Sequence, residues 1–558
     1  MLRACIKCCS EFAISAEDLD FYRKVSPVVG GEMLTVPPPT HCPNCRKQRR
    51  LLFRNERSLY QRTCDLTGKA MLSIHPEGTV FPVYENSAWW GDGWDALSFG
   101  RNFDFGRGFF EQFVEVRDAV PRINLYIDSL CENSKYCNQI AMCRNCYLMF
   151  ACTSNEDCYY GYRVNNSRNC IDCLMTNDSE LCFQCVETFS SYNCKYSQKI
   201  SGCTDSAFLF DCRGCKNCLF SIGLRNKEYY LFNKQLTPSR FTEAARKYNF
   251  GSTALVTGYK TEYKQYIQSF PRRFATLRNV EHVTGDNIEN AKNCVAVFDG
   301  ANLEDVAYCH FFQDAKDCMD VNFGCDHVEL CYEVSTTGIE ARQILFSMEA
   351  WPNVTNLLYC DSCSNGTGDC FGCVGLKKQR YCILNKQYSK SEYETLVPRI
   401  VRHMEATGEW GEFFPAWCST HGYQETPAMQ HFPLTAEQAK AQGFNWRKTD
   451  APAHPSQTLN LPDDIREADG TILSHVFGCI NCGKNYKIIP QELQFYQNAG
   501  VSLPRECSDC RYYARVAQRN PAQLYSRECS ECQTSVQTTY APSRPELILC
   551  EHCYIERI

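Results

Sequence analysis

Cysteine returns every twelve residues through the middle of the chain, at Cys146, Cys158, Cys170, Cys182 and Cys194, then as Ser206 in the same register, then at Cys218. Asn or Asp precedes most of these positions, as at Asn145, Asp157, Asn169, Asn193, Asp205 and Asn217. A fixed period over so many units points to a solenoid, in which each unit buries its face only against its neighbours. Within a unit, small side chains recur at every third position, as in Ser167, Cys170, Cys173, Thr176 and then Ser179, Cys182, Cys185, Thr188. That spacing predicts a narrow β-solenoid with four inward side chains per coil, a lumen filled by stacked Cys, Ser and Thr, and Asn or Asp supplying the turn at each corner. A wider parallel β-helix with two units per coil satisfies the same period.

A second, less regular array follows. Asn293-Cys294, Asp305-Val306, Asp317-Cys318 and Glu329-Leu330 keep the period before a slip leads to Cys331. The two arrays end alike: the segments starting at Cys218 and Cys370 align without a gap and share Gly223/Gly375, Leu224/Leu376, Tyr229/Tyr381 and Asn233-Lys234-Gln235/Asn385-Lys386-Gln387. Each ending predicts a capping strand and then a short helix, begun by Thr237-Pro238 in one copy and Ser389 in the other, which shields the solenoid edge. In architecture the arrays resemble the twelve-residue coils of beetle antifreeze proteins, although the paired surface threonines of those proteins are absent.

The remaining cysteines form pairs. At the C-terminus Cys479-x2-Cys482 precedes Cys507-x2-Cys510, and Cys529-x2-Cys532 precedes Cys550-x2-Cys553. Two C-x2-C knuckles complete the closed thiolate tetrahedron of a structural Zn²⁺, with no open position for substrate. Paired knuckles mark metal rather than disulfides. The N-terminus repeats the module: Cys5 and Cys8 match Cys479 and Cys482, a loop nine residues longer follows, and a constant offset of 465 then carries Cys42, Cys45, Asn55, Tyr60, Arg62 and Cys64 onto Cys507, Cys510, Asn520, Tyr525, Arg527 and Cys529. Under that offset Cys532, Cys550 and Cys553 fall on Thr67, Glu85 and Ala88. Three Zn²⁺ per chain are therefore expected, with the fourth site metal-free and held by packing of Trp89, Trp90 and Trp94.

The run from Cys479 to Arg511, with its C-x2-C, helical Phe-Tyr segment, Pro and C-x2-C-R, resembles the probable zinc-ribbon (treble-clef-like) family, and the start of the chain fits it with the longer loop. The whole chain resembles large cysteine-rich proteins of uncultivated small-genome bacteria, in "RNERSLYQRTCDLTGK", "FGRNFDFGRGFFEQF", "GEFFPAW" and "YAPSRPELILCEHCY". Such chains are sometimes labelled CaiB/BaiF family, which implies a CoA transferase. This sequence has neither a dinucleotide-fold pattern nor a recognisable catalytic aspartate for that chemistry.

Among 40 cysteines in 558 residues the first is already Cys5, too early for a signal-peptide core, so reduced thiols in the cytoplasm are expected, and no apolar run is long enough for a membrane span. The solenoid cysteines read as small buried hydrophobes, because the repeat uses Ser at the same sites, with a tetrahedral metal set of Cys170, Cys173, Cys182 and Cys185 on neighbouring coils as the alternative. Phosphate-loop, H-E-x-x-H and G-x-S-x-G motifs are absent. Cys418 near His421 is the one candidate nucleophile and base, a pair more often met by chance. An enzyme, whether transferase-type or cysteine-dependent, ranks third among the functional readings.

A net charge of −6 hides a strong asymmetry. Residues 280–376 hold sixteen acidic against three basic side chains, and residues 225–278 hold eleven basic against three acidic. Between the N-terminal knuckles Arg46, Lys47, Arg49, Arg50, Arg54 and Arg57 are packed together, with Arg62 beyond them. They are candidate phosphate contacts and suggest a non-catalytic zinc scaffold that binds nucleic acid, RNA before DNA. Two alternatives stand beside this: the basic pieces dock on the acidic solenoid of the same chain, or the protein is an interaction scaffold with structural zinc whose acidic array suits a basic protein. The expected order is a zinc-ribbon pair over 1–100, a solenoid with cap over 125–250, a basic linker over 251–279, an acidic solenoid with cap over 280–405, a Pro-rich linker with one helix (Thr435 to Gln442) over 406–470, and a double ribbon over 471–558. The fold class is thus multidomain and mainly β, with few short helices.

Overall fold

The computed structural model describes residues 1–304, 355–448 and 459–557, together with 310–312, 315–316, 319, 322, 332–334 and 345. Through the first array, parallel strands pair at a constant offset of twelve, with Phe150 opposite Tyr162, Leu174 opposite Val186 and Cys218 opposite Tyr230. One unit therefore makes one coil. The backbone is left-handed at every third residue, for example Asn145, Leu148, Ala151, Ser154 and Asp157, with φ of 55°, 51°, 53°, 55° and 51°. Each coil is thus a quadrilateral with four corners. Asn or Asp was expected at each corner, but Leu148, Ala151, Met175 and Phe208 turn the chain too. Their strained φ is held by inter-coil hydrogen bonds, such as Leu148 N–H to the Lys135 carbonyl at 3.1 Å.

The lumen explains why Cys and Ser alternate. Ser167 Oγ donates to the Asn165 carbonyl (2.8 Å) and accepts from Ser179 N–H on the next coil (3.2 Å). Cys152 Sγ does the same, donating to the Phe150 carbonyl (3.1 Å) and accepting from Val164 N–H (3.4 Å). Either side chain is small enough for the lumen and satisfies backbone groups that water cannot reach.

Both arrays close with the same device. Asn233, at φ 55°, accepts from Ile222 N–H and donates to the Ile222 carbonyl, both at 2.8 Å. Asn385, at φ 61°, treats Val374 likewise, at 2.7 and 2.8 Å. A side-chain amide stands where the next coil's peptide would be. A short antiparallel strand follows, and then a helix: Pro238–Ala245 capped by Thr237, and Lys390–Thr407 capped by Ser389 in a capping box with Glu392. The second helix, at 18 residues, is longer than expected. In the second array the coil at Thr355 is one residue longer, pairing Thr355 with Gly368. Asp305-Val306, Asp317-Cys318, Glu329-Leu330 and the slip to Cys331 lie outside the described residues.

Neither expected linker is one. Within 251–279 the helix Thr253–Gln268, N-capped by Ser252, lies on the first solenoid: Tyr263 donates to the Ser221 carbonyl at 2.9 Å and packs on Phe208 and Phe220. The stretch after 406 enters the largest apolar core, where Phe413, Phe414, Cys418, Tyr423, Ala428 and Phe444 are buried with Phe53 and Phe113. Aromatic side chains at this density bury more apolar area than a solvated linker tolerates. The Thr435/Gln438 capping box and the turn at Gly443 (φ 76°) are present as expected.

The two ends of the chain are one fold built twice. The offset of 465 superimposes the helix Pro43–Leu51 on Ser508–Val516, the hairpin Tyr60–Thr63/Ala70–Ser73 on Tyr525–Glu528/Ser535–Thr538, and the strand Val83–Tyr84 on Ile548–Leu549. The last of these pairs with Arg122–Ile123 ahead of the first solenoid in one copy, and with Arg272–Arg273 ahead of the second in the other. The helices then cross over. In Ala16–Val25, Tyr22 packs on Tyr332 of the second array (5.1 Å), whereas Phe495 and Tyr496 of Pro490–Ala499 pack on Phe183 of the first (6.0 and 5.8 Å). Each ribbon unit bridges both solenoids.

Candidate metal centres

Every four-cysteine set is assembled from two kinds of turn. The first knuckle caps a hairpin: Cys9 N–H donates to the Cys5 carbonyl (2.9 Å), as Gly483 does to Cys479 (2.9 Å) and Gln533 to Cys529 (3.0 Å). The residue after the second cysteine is left-handed each time, with φ of 60° at Cys9, 75° at Gly483 and 60° at Gln533. The second knuckle opens a helix. Cys42, Cys507 and Cys550 are the N-cap residues of Pro43–Leu51, Ser508–Val516 and Glu551–Glu556, which puts Cys45, Cys510 and Cys553 in the first turn. Unsatisfied N–H groups and the positive end of the helix dipole there favour thiolate.

The sulfur geometry fits a tetrahedral ion. Within each of the three sets all four Sγ atoms lie within 4.8 Å of one another. Cys8–Cys42, Cys482–Cys507 and Cys532–Cys550 stand 3.7, 3.6 and 3.6 Å apart. Four thiolates at ~2.3 Å from one Zn²⁺ have tetrahedral edges of about 3.8 Å. The thiols also differ in acidity. Hydrogen bonding from Ser10 pulls Cys8 down to about 6. Burial raises Cys479 and Cys529, but backbone N–H groups outweigh it and bring them to about 7 and about 6. For Cys479 these come from Cys507 of the facing knuckle and from Cys482 and Asn481 of its own, and for Cys529 from Cys532 and Glu531 of its own knuckle and Cys550 of the facing one. Burial pushes Cys45 and Cys510 up. One knuckle ionises readily, and a cation is what lets the remaining thiols follow. No solenoid cysteine belongs to such a set among the described residues.

The fourth set keeps the scaffold without the ligands. Gly68 N–H donates to the Cys64 carbonyl (2.9 Å), Gly68 is left-handed (φ 71°), and Glu85 is the N-cap of Asn86–Trp90. Thr67 Oγ1 donates to Glu85 (3.1 Å) and Lys69 pairs with it (3.3 Å), so a polar contact spans the gap an ion would fill. The expected indole packing is present, with Trp89 buried and 4.8 and 5.7 Å from Trp90 and Trp94, but beside this contact rather than in its place.

The basic cluster is interior, and the expectation of phosphate contacts is corrected on burial. Arg46, Lys47, Arg49, Arg50 and Arg54 are all buried, Arg50 at 0% exposure. Arg46 donates to the His41 carbonyl (2.8 Å) and Lys47 to the Ala522 carbonyl (3.3 Å). Arg49 bridges Glu412 (2.9 Å) and Glu333 (3.1 Å), and Arg50 meets Asn322 (2.8 Å) and Glu333 (3.6 Å). Arg54 pairs with Glu56 (2.7 Å), and Arg57 lies over the Tyr512 ring (3.8 Å) beside Asp509 (3.3 Å). Arg62 bonds Asp65 (2.8 Å) and the Pro76 carbonyl (2.8 Å).

The C-terminal copy carries the same device, which the offset of 465 made findable at Arg511, Arg515 and Arg519. The first two converge on Asp172, itself 0% exposed, at 3.0 and 2.8 Å. Arg519 bridges Glu187 (2.8 Å) and Asp299 (2.5 Å).

Cys418 and His421 line one small cavity of about 20 Å³, yet burial pushes the thiol up to about 12 and the imidazole down to about 3. Both stay neutral near pH 7, which leaves the thiol unactivated. No helix among the described residues is long and apolar enough to cross a membrane. No protein-family model, curated protein or solved structure matches the chain, so the metal centres stand on their own geometry.

Proposed function

We propose that this protein is a non-catalytic interaction scaffold of a reducing cytoplasm, in which three treble-clef-like zinc ribbons are structural and the solenoids present the surface a partner protein meets. The observation that carries this reading is the fate of the ribbon helices. Their arginines are spent on Glu333 and Glu412 at one end and on Asp172, Glu187 and Asp299 at the other, so the ribbons fasten the solenoids to each other. Closed four-thiolate sites with no open position suit that task and not catalysis.

Nucleic acid is the second reading, on other residues. Lys227, Lys234, Arg240, Arg246 and Lys247 around the first cap are exposed and form the basic surface available to RNA. Capture on the tagged, intact chain with and without nuclease separates the two. A single protein held at fixed stoichiometry after nuclease supports the scaffold; loss of all bound material on nuclease treatment transfers the function to nucleic acid.

A further inference from the structure

The duplication builds the same cleft twice, and the two copies differ in what fills them. In the N-terminal copy the helix Phe109–Ala119, the strand at Arg122 and ribbon residues 49–53 enclose a stretch of this chain's own backbone. Phe414 lies 4.8 Å from Phe113 and 5.8 Å from Phe110, Phe413 lies 5.5 Å from Phe53, and Ser419 donates to the Leu52 carbonyl at 2.6 Å. The space left is about 20 Å³, room for no more than a water.

The C-terminal copy, bounded by Thr253–Gln268, Arg272 and residues 514–518, holds a cavity of about 520 Å³. The ribbon offset puts Ala514, Ala517 and Gln518 where the filled copy has Arg49, Leu52 and Phe53. Aligning Pro121-Arg122 with Pro271-Arg272 puts Lys260 and Lys264 where it has Phe110 and Val114. Arg122 is ion-paired with Asp361, which stands opposite Val374 on the next coil. The matching position, opposite Ile222, is Phe210, and Arg272 lies over its ring at 4.6 Å. The filled cleft is apolar and charge-matched; the open one is roomy and cationic.

Its charges are unbalanced. Lys199 is answered by Asp286 (3.8 Å) and Arg544 by Glu546 (3.1 Å). Lys260 donates to Gln184 (2.7 Å) and Arg272 to the Phe270 carbonyl (3.1 Å), and among the described residues Lys260, Lys264 and Arg272 have no carboxylate partner. The wall beside the lysines is aromatic: Lys260 Nζ lies 5.0 Å over the Tyr196 ring, Tyr263 of the same helix packs on Phe208 at 5.6 Å, and Tyr196 stacks on Phe208 at 4.9 Å. Gln198, Gln518 and Asn520 bring carboxamides to the same space.

We propose that this cleft binds a free mononucleotide, its phosphate held by Lys260, Lys264 and Arg272 and its base set against the aromatic wall. The volume lies in the range of small-ligand sites. Lysine and arginine supply the anion contacts, and the ring-lined wall supplies an apolar surface for the base. The carboxamide oxygens of Gln198 and Gln518, whose amide nitrogens already donate to the Gln518 and Ala514 carbonyls at 2.9 and 3.4 Å, accept from a base amino group. An apolar peptide like the one filling the first cleft would strand three cations.

Calorimetric titration of the intact, zinc-loaded protein with AMP, GMP, CMP and UMP tests this, with adenosine and inorganic phosphate as the two halves of one ligand. At least one nucleotide is expected to bind one to one, about tenfold or more tighter than either half. Lys264→Ala, on an exposed helix face, is expected to weaken it by about tenfold. Ala517→Leu with Gln518→Phe copies the filled cleft and is expected to abolish it, with zinc content and thermal midpoint reporting that both variants are folded. No heat with any nucleotide at about 1 mM, binding unchanged in Lys264→Ala, or an RNA oligonucleotide that outbinds all four mononucleotides here would each overturn the proposal.

Discussion

Glu85 stands where its duplicate has a metal ligand, and its surroundings are nearly the same. Glu85 N–H donates to Cys64 Sγ at 3.3 Å, as Cys550 N–H donates to Cys529 Sγ at 3.3 Å. The turn and the helix N-terminus persist, so three side chains separate this site from a metal centre. Thr67→Cys, Glu85→Cys and Ala88→Cys together are expected to add one bound metal ion per chain by elemental analysis, whereas Cys507→Ser removes one. Glu492 is a second residue whose behaviour follows from its place. It faces Tyr160, Tyr496, Arg511 and Asp172, and burial lifts its carboxyl to about 7. A raised folded value means that its contribution is whole below the ordinary glutamate range and is lost as pH rises from there through 7. Glu492→Gln, which keeps the helix cap, is therefore expected to gain on wild type across that window, by about 3 kcal/mol. Denaturant midpoints that stay parallel from pH 5 to 8 would contradict it.

At the scale of elements, the solenoid was legible because its lumen repeats in sequence what it repeats in space. Small inward residues at every third position name the coil, and the shared Asn-Lys-Gln names the cap. What the pattern did not show is why Leu148 or Phe208 turns a corner, since that strain is supported by the neighbouring coils and not by the residue's own preference. The interchange of Cys and Ser carries a direct expectation. Cys170 Sγ donates to the Arg168 carbonyl at 3.4 Å, a bond a hydroxyl makes equally well. Cys170→Ser is expected to shift stability by less than about 1 kcal/mol with three zinc ions retained, while Cys170→Leu overfills the coil and costs about 1–3 kcal/mol or more. A fall in zinc content on Cys170→Ser would mean that the lumen holds metal after all.

The whole molecule departs furthest from its sequence reading, and the reason is long-range. The knuckles were legible because metal ligands keep local spacing; the partners of the arginines between them were not, because Glu333 and Glu412 lie some three hundred residues away. Six cations in one short segment read as a surface when their carboxylates are out of sight. Residues 251–279 and 406–470 read as linkers for the same cause, their apolar faces having partners only in the folded chain. The ribbons are consequently not detachable modules, and the effect of the basic cluster lies on stability. Replacing Arg49, Arg50 and Arg54 by Ala in the intact protein removes the Arg49 and Arg50 ion pairs of Glu333, which is buried at 1% exposure. Breaking a buried pair from one side costs about 3–5 kcal/mol. The thermal midpoint is expected to fall steeply. Any binding of RNA by the folded protein is expected to keep the same logarithmic salt slope, because no phosphate contact has been removed. A variant with unchanged melting and a slope reduced by about one unit for each arginine would return these side chains to the surface.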